Sequence, residues 1–242
     1  MVLLSGGSRG IGAAAAAALL DAGACVCLTY RQDAAGAAHR EQAAAAAGAG
    51  DRLTTVRADV RDAAAAKEAV RHTLERFGTL DALVNNAGVL VQGHLQFATT
   101  ADYDLVMDTN VRGPYLLMRA AIPRLPKGGR IVNIASVVGI DPIPDASLYC
   151  ASKAALIALT RSVAQEVAPD ILVNAIAPGP IRTAMTARGY GDDLLTSDAI
   201  AQGTWQRRWA GPQEVAPAVV YLCSPASGYV TGAVLRVDGG RT

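Results

Sequence analysis

Short apolar runs recur along the chain at Val2–Ser5, Ala24–Tyr30, Arg52–Arg57, Ala82–Asn85, Arg130–Ser136 and Ile171–Ile176, each bounded by turn residues or charges. Runs of this length without alternation predict strands buried on both faces. Helix-compatible stretches separate them, and the alanine-rich segments at 13–18, 43–47 and 63–66 fall where crossover helices are due. Alanine is the strongest helix former, so these segments read as helix and not as low-complexity disorder. Regular strand–helix alternation implies parallel neighbours joined by crossovers, which predicts an α/β fold: a doubly wound parallel sheet. Ile181 to Gly211 breaks the alternation and carries Tyr190, Trp205 and Trp209. It reads as a helical substrate lid inserted into a single domain spanning residues 1–242.

Composition narrows the partners. With 242 residues and 51% hydrophobic content the chain can bury one large core. A net charge of +1 supplies no field for nucleic acid or an anionic membrane surface. Cys25, Cys27, Cys150 and Cys223 show no paired metal spacing and read as small buried apolar groups, so no metal site is expected. Arg9 followed by the apolar run to Leu20 superficially imitates a secretory signal, but cleavage there would remove the glycine spacing described next. No apolar run approaches the ~20 residues that span a bilayer, and a cytoplasmic location is the expectation.

Immediately after the first strand comes Ser5-Gly6-Gly7-Ser8-Arg9-Gly10-Ile11-Gly12, followed by an alanine helix. Glycine permits a tight turn and close backbone approach, and a helix N-terminus offers unpaired N–H groups to a pyrophosphate. After the second strand a fold that binds NAD usually places an acid against the ribose 2′-hydroxyl. Here the chain reads Leu28-Thr29-Tyr30-Arg31, so a cation stands in that place. Arg31 with Arg9 could flank a 2′-phosphate through charge-assisted bonds, which predicts NADP(H) as cofactor.

Tyr149 and Lys153 stand four residues apart in a helix-compatible stretch, hence on one face. A neighbouring cation favours phenolate and brings a tyrosine toward proton transfer near neutrality. Ser136 closes a predicted strand, and ligands of open parallel sheets sit beyond the carboxyl ends of strands. Asn110 falls in the helical segment before it, where asparagine is a mediocre choice.

Taken together, Asn110, Ser136, Tyr149 and Lys153 resemble in order and spacing the catalytic tetrad of the short-chain dehydrogenase/reductase family, whose fold is a Rossmann fold. The likeness runs from Ser5, where that family usually has threonine, through Asn85-Asn86-Ala87-Gly88, Pro178-Gly179 and Asp238-Gly239-Gly240. It implies cofactor contacts at Gly6, Ser8, Arg9, Gly10, Ile11, Gly12 and Arg31. Asp59 and Val60 would meet the adenine, and Asn86, Ala87 and Gly88 would line the cleft. Pro178, Gly179, Ile181 and Thr183 would lie by the nicotinamide, with Ile181 and Thr183 holding its carboxamide and Tyr149 and Lys153 also touching the cofactor. Asn85 would brace the central sheet, and Asn110 would position a water linking Lys153 to solvent.

The pattern Asn-Ile-Ala-Ser-Val-Val-Gly at 133–139 resembles the 3-oxoacyl-thioester reductases, commonly homotetramers. That implies NADPH-dependent reduction of a 3-oxoacyl thioester carried by coenzyme A or an acyl carrier protein. Arg124, Lys127 and Arg130 suit an acidic carrier, and the two tryptophans suit an extended acyl chain. Asp170 departs from the arginine usual after that helix and counts against a carrier. The alternatives are a reductase or dehydrogenase of free ketones and secondary alcohols, or a non-catalytic NADP sensor.

Overall fold

The computed structural model describes residues 1–190 and 202–240. Seven strands form one parallel sheet: β1 (Val2–Leu4), β2 (Val26–Tyr30), β3 (Leu53–Arg57), β4 (Ala82–Asn85), β5 (Gly129–Ile134), β6 (Ile171–Pro178) and β7 (Val234–Val237). Their order is β3-β2-β1-β4-β5-β6-β7. The described helices longer than a single turn are α1 (Gly10–Asp21), α2 (Ala34–Ala46), α3 (Ala63–Phe77), α4 (Thr100–Met107), α5 (Gly113–Ala121), α6 (Ser147–Glu166), α7 (Ala184–Tyr190) and α8 (Ala216–Cys223).

Successive strand residues face opposite sides, so each strand feeds two cores. Leu4, Leu28, Val84, Val132 and Ile176 pack with Leu19 of α1, Ala44 of α2 and Val219 of α8. Leu3, Cys27, Leu83, Ile131 and Val173 pack on the other face with Val70 of α3, Leu117 of α5 and Val163 of α6. The continuous apolar runs are the signature of a sheet covered on both sides, and the alanine-rich segments lie within or at the ends of α1, α2 and α3.

Several boundaries differ from the sequence reading. β2 begins at Val26, β5 ends at Ile134 so that Ser136 lies just past the strand, and β6 continues to Pro178. The edge strand β7 was not among the predicted strands; its four residues are partly exposed and include Arg236. The signal-like segment forms α1. Asn85 braces the sheet as expected. Its amide donates to Asn133 Oδ1 at 2.8 Å, and Asn133 donates to the Thr160 hydroxyl of α6 at 2.9 Å.

Candidate active site

Strand order reverses between β1 and β4, and a cleft of about 490 Å³ opens there beyond the carboxyl ends of the strands. The loop after β1 forms its first wall. Gly6 and Gly10 have φ of 68° and 58°, a region that disfavours any side chain. Gly12 plays a different part. A Cβ there would fall 2.4 Å from both Asn86 Nδ2 and the Gly6 carbonyl, so Gly12 lets α1 seat against the loop and does not itself line the cleft.

Arg9 opens α1 without a side-chain cap, and no acidic residue occupies the first turn. The N–H groups at Gly10 and Ile11 are thus available to an anion at the helix N-terminus. Ser8 lines the same wall, 9% exposed, and its hydroxyl has no partner among the described residues. Ser5 explains why a hydroxyl is retained at its position. Its Oγ accepts from the backbone N–H of Asn86 at 3.0 Å and of Ala87 at 3.1 Å. The Asn86 side chain returns bonds to the carbonyls of Ser5 and Gly6. The loops after β1 and β4, the latter carrying Asn86, Ala87 and Gly88, are therefore locked to each other.

At one end of the cleft stand Arg9, Arg31, Asp59 and Val60. Asp59 is clamped by Arg61 through Nε at 3.0 Å and Nη2 at 2.7 Å, a pairing that holds its carboxyl below the usual range. Asp33 accepts the Gly36 N–H and caps α2.

At the other end stand Ser136, Tyr149 and Lys153. Lys153 is 4% exposed, donates to the Ile134 carbonyl at 2.8 Å and lies 5.6 Å from the centroid of the Tyr149 ring, as the one-turn spacing on α6 requires. Burial pulls its ammonium down from 10.5 to about 8. Ser136 begins a short 3₁₀ turn, Val137–Gly139, with its Oγ accepting the Val138 N–H at 3.3 Å. A Cβ on Gly139 would strike the Lys153 carbonyl carbon at 2.7 Å, so this turn packs directly on the backbone of α6 and sets Ser136 beside the tyrosine and lysine.

Asn110 sits behind the reacting end, where a Cβ on Gly88 would meet both its Oδ1 and Lys153 Nζ. It lies fully buried in one turn of π-helix, Asp108–Arg112, between α4 and α5, and does not line the cleft. Its amide donates to the Val89 carbonyl at 2.9 Å and to Ser152 Oγ at 3.0 Å, while its oxygen accepts the Val89 N–H. Ser152 in turn donates to the Tyr149 carbonyl at 2.7 Å. Ser152 and Gly139 brace the site through these contacts, and sequence reasoning missed both. The only signals were a serine inside Tyr-x-x-x-Lys and a glycine three residues past Ser136.

Pro178, Gly179, Ile181 and Thr183 also line the cleft. A Cβ on Gly179 would lie 2.7 Å from the Asp238 Cα, which explains why Pro178-Gly179 and the terminal Asp-Gly-Gly occur together. Thr186 ties down the start of α7, donating to the Ile181 carbonyl and accepting the Thr183 N–H at 2.9 Å each.

Of the predicted lid, residues 191–201 lie outside the described residues. The return segment is pinned at Ala210, which accepts from Arg182 N and donates to the Pro180 carbonyl. Neither tryptophan is among the residues that line the cleft. Trp209 is 6% exposed in packing, and Trp205 lies against Gly240, where a Cβ would meet its ring at 2.5 Å. Arg124, Lys127 and Arg130 stand before and at the start of β5, at the amino ends of the strands, whereas Ser136 lies beyond the carboxyl ends, and Lys127 pairs with Asp170 at 3.6 Å. Cys150 is buried among Val137, Val138 and Ala177, as packing requires. No metal-binding cluster occurs among the described residues.

A Rossmann-type cleft with an uncapped glycine-loop helix at one end and a serine–tyrosine–lysine group at the other defines an oxidoreductase that works on a dinucleotide. Residues 6–242 match the model of the family described as enoyl-(acyl carrier protein) reductase, and the chain belongs to the short-chain dehydrogenase/reductase family. It is 37% identical to a 3-oxoacyl-[acyl-carrier-protein] reductase of Synechocystis, over 99% of this chain and 96% of that one. It is 39% identical to an A-factor type gamma-butyrolactone 1′-reductase of Streptomyces virginiae, covering 100% and 95%. Among solved structures, a dehydrogenase/reductase of Sinorhizobium meliloti is similar with TM-score 0.92 and 41% identity, covering 99% and 93%. A blue fluorescent protein from a metagenomic library, solved in complex with NADPH, is similar with TM-score 0.91 and 36% identity, covering 99% and 96%.

Proposed function

We propose that the protein reduces a ketone to a secondary alcohol with NADPH, and that the ketone is a 3-oxoacyl thioester or a similarly extended 3-oxo compound. The observation that carries this reading is the placement of Ser136, Tyr149 and Lys153 along one cleft with the uncapped start of α1. The N–H groups at Gly10 and Ile11 would hold the pyrophosphate, Arg9 and Arg31 the 2′-phosphate, and Ile181 and Thr183 the nicotinamide end. When bound, the reduced nicotinamide supplies the hydride.

Tyr149 gives its phenolic proton to the substrate oxygen as that oxygen gains negative charge, and Ser136 Oγ donates a hydrogen bond to the same oxygen. Lys153 favours the resulting phenolate by charge and contacts the nicotinamide ribose. Asn110 and Ser152 hold the first turn of α6 in place, and Asn110 positions the water through which Lys153 and Tyr149 are reprotonated. A cytoplasmic homotetramer is part of the same proposal.

Relatives named for 3-oxoacyl and gamma-butyrolactone reduction support carbonyl chemistry. A second reading, reduction of free ketones, is favoured by two features: the basic cluster stands at the amino ends of the strands, and neither tryptophan is among the residues that line the cleft. Steady-state rates with NADPH should be compared for a carrier-bound 3-oxoacyl group, its pantetheine-type mimic, and cyclic or aromatic ketones. Higher kcat/KM on either thioester supports the first reading. Values far higher on the free ketones establish the second, and no turnover of any ketone removes both in favour of a sensor.

A further inference from the structure

We infer that Arg57 is a specificity-determining residue for a nucleotide bearing a 2′-phosphate, acting beside Arg31. This rests on the NADP reading above. β2 and β3 are parallel neighbours with Tyr30 paired to Arg57, so Arg31 and Arg57 leave adjacent strand ends on the ligand side of the sheet. Arg57 Nε donates to the Arg31 carbonyl at 3.2 Å, which holds the Arg57 guanidinium against the Arg31 backbone. Its remaining N–H groups make no bond among the described residues.

The space for an anion is there. A second cavity of about 600 Å³ adjoins the cleft, sharing Arg31 and Asp59 with it and adding Arg57 and Arg61 to the wall. The carboxylates at this end direct their hydrogen bonds elsewhere, although the charge of Asp59 also reaches Arg31. Asp59 is spent on Arg61, while Asp33 and Asp62 cap α2 and α3 through the N–H groups of Gly36 and Ala64. Arg31 bonds only the neutral side chain of Gln32, at 3.3 Å. Two guanidiniums that make no ion pair with a carboxylate among the described residues thus line the same cavity. A phosphate monoester near neutral pH carries more than one negative charge and three acceptor oxygens, more than one guanidinium can satisfy. A ribose 2′-hydroxyl has no use for either cation, so Arg57 separates the two nucleotides instead of strengthening both.

The test is calorimetric titration of the full chain with 2′,5′-ADP and with 5′-AMP, which differ only in the 2′-phosphate, with melting curves checking that each variant is folded. Arg57→Ala should weaken 2′,5′-ADP roughly tenfold, the loss of one charge-assisted contact, and leave 5′-AMP within about twofold. Arg57→Lys, which keeps the charge, should recover at least half of that loss on a logarithmic scale. Equal weakening of both nucleotides would make Arg57 only a brace for the β2 turn, and no weakening of either would also overturn the proposal. Arg31→Ala separates the two levels of inference. If Arg31→Ala abolishes the preference and Arg57→Ala does not move it, Arg57 alone is misassigned. If the parent protein shows no preference for 2′,5′-ADP, the NADP reading falls and Arg57 with it.

Discussion

Lys153 holds its ammonium in the protein interior, and replacing it with methionine converts that placement into a measurable pH dependence. The fold lowers its pKa from 10.5 to about 8 through burial. That gap corresponds to about 3 kcal/mol of penalty on the charged form. Below pH 8 both folded and unfolded chains carry the proton, and the folded state bears the whole penalty. Between pH 8 and 10.5 the folded protein has released the proton while the unfolded chain still holds it, so stability rises with pH across that window. From pH 7.5 to 9.5 the gain should be about 2 kcal/mol. Lys153→Met keeps the length of the side chain without a titrating group and should lack this gain. Urea denaturation of both proteins at the two pH values measures it, because other titrating groups are common to both and largely cancel. If the difference in unfolding free energy between them stays constant, the ammonium is not penalised by its surroundings and the reasoning fails.

Tyr149→Phe keeps the ring and removes the proton, so kcat should fall by two orders of magnitude or more with the melting temperature and nucleotide affinity nearly unchanged; a loss within about tenfold, ~1.4 kcal/mol, would mean another group is the acid. Cys150→Ala should remain active, since its thiol packs among Val137, Val138 and Ala177 and bonds no closer than 3.9 Å to the Ile143 carbonyl; inactivation with the fold intact would show a chemical role. Gly12→Ala should lower the melting temperature and weaken nucleotide binding, because its Cβ meets the Gly6 carbonyl and Asn86 at 2.4 Å. An unchanged melting temperature and affinity would show that α1 can shift freely.

Much of this molecule was legible from local chemistry. Apolar runs without alternation specify strands covered on both faces, alanine specifies the helices between them, and glycines 6 and 10 mark turns that need positive φ. The Tyr149–Lys153 pair follows from helical periodicity alone. Those features depend on a residue and its near neighbours in sequence, and there the reading and the structure agree. β7 escaped because four partly exposed residues with an arginine carry no strong pattern, and only pairing with β6 makes them a strand.

What the chain by itself determined is therefore the inventory: which elements form, in what order, and which side chains can transfer protons or attract phosphate. Only the tertiary structure decided how that inventory is spent. Packing across 21 and 42 positions in sequence commits the Asn110 amide to Val89 and Ser152, partners that its place in the chain does not announce. Trp205 and Trp209 looked like a substrate surface, yet neither is among the residues that line the cleft. Arg124, Lys127 and Arg130 precede Ser136 closely in sequence, yet β5 separates them from it, at the amino rather than the carboxyl end of the strand. Arg57 carried no signal until β3 was laid beside β2. Proximity in space between distant residues comes from strand order and helix packing, which many sequences share, so no local pattern records it.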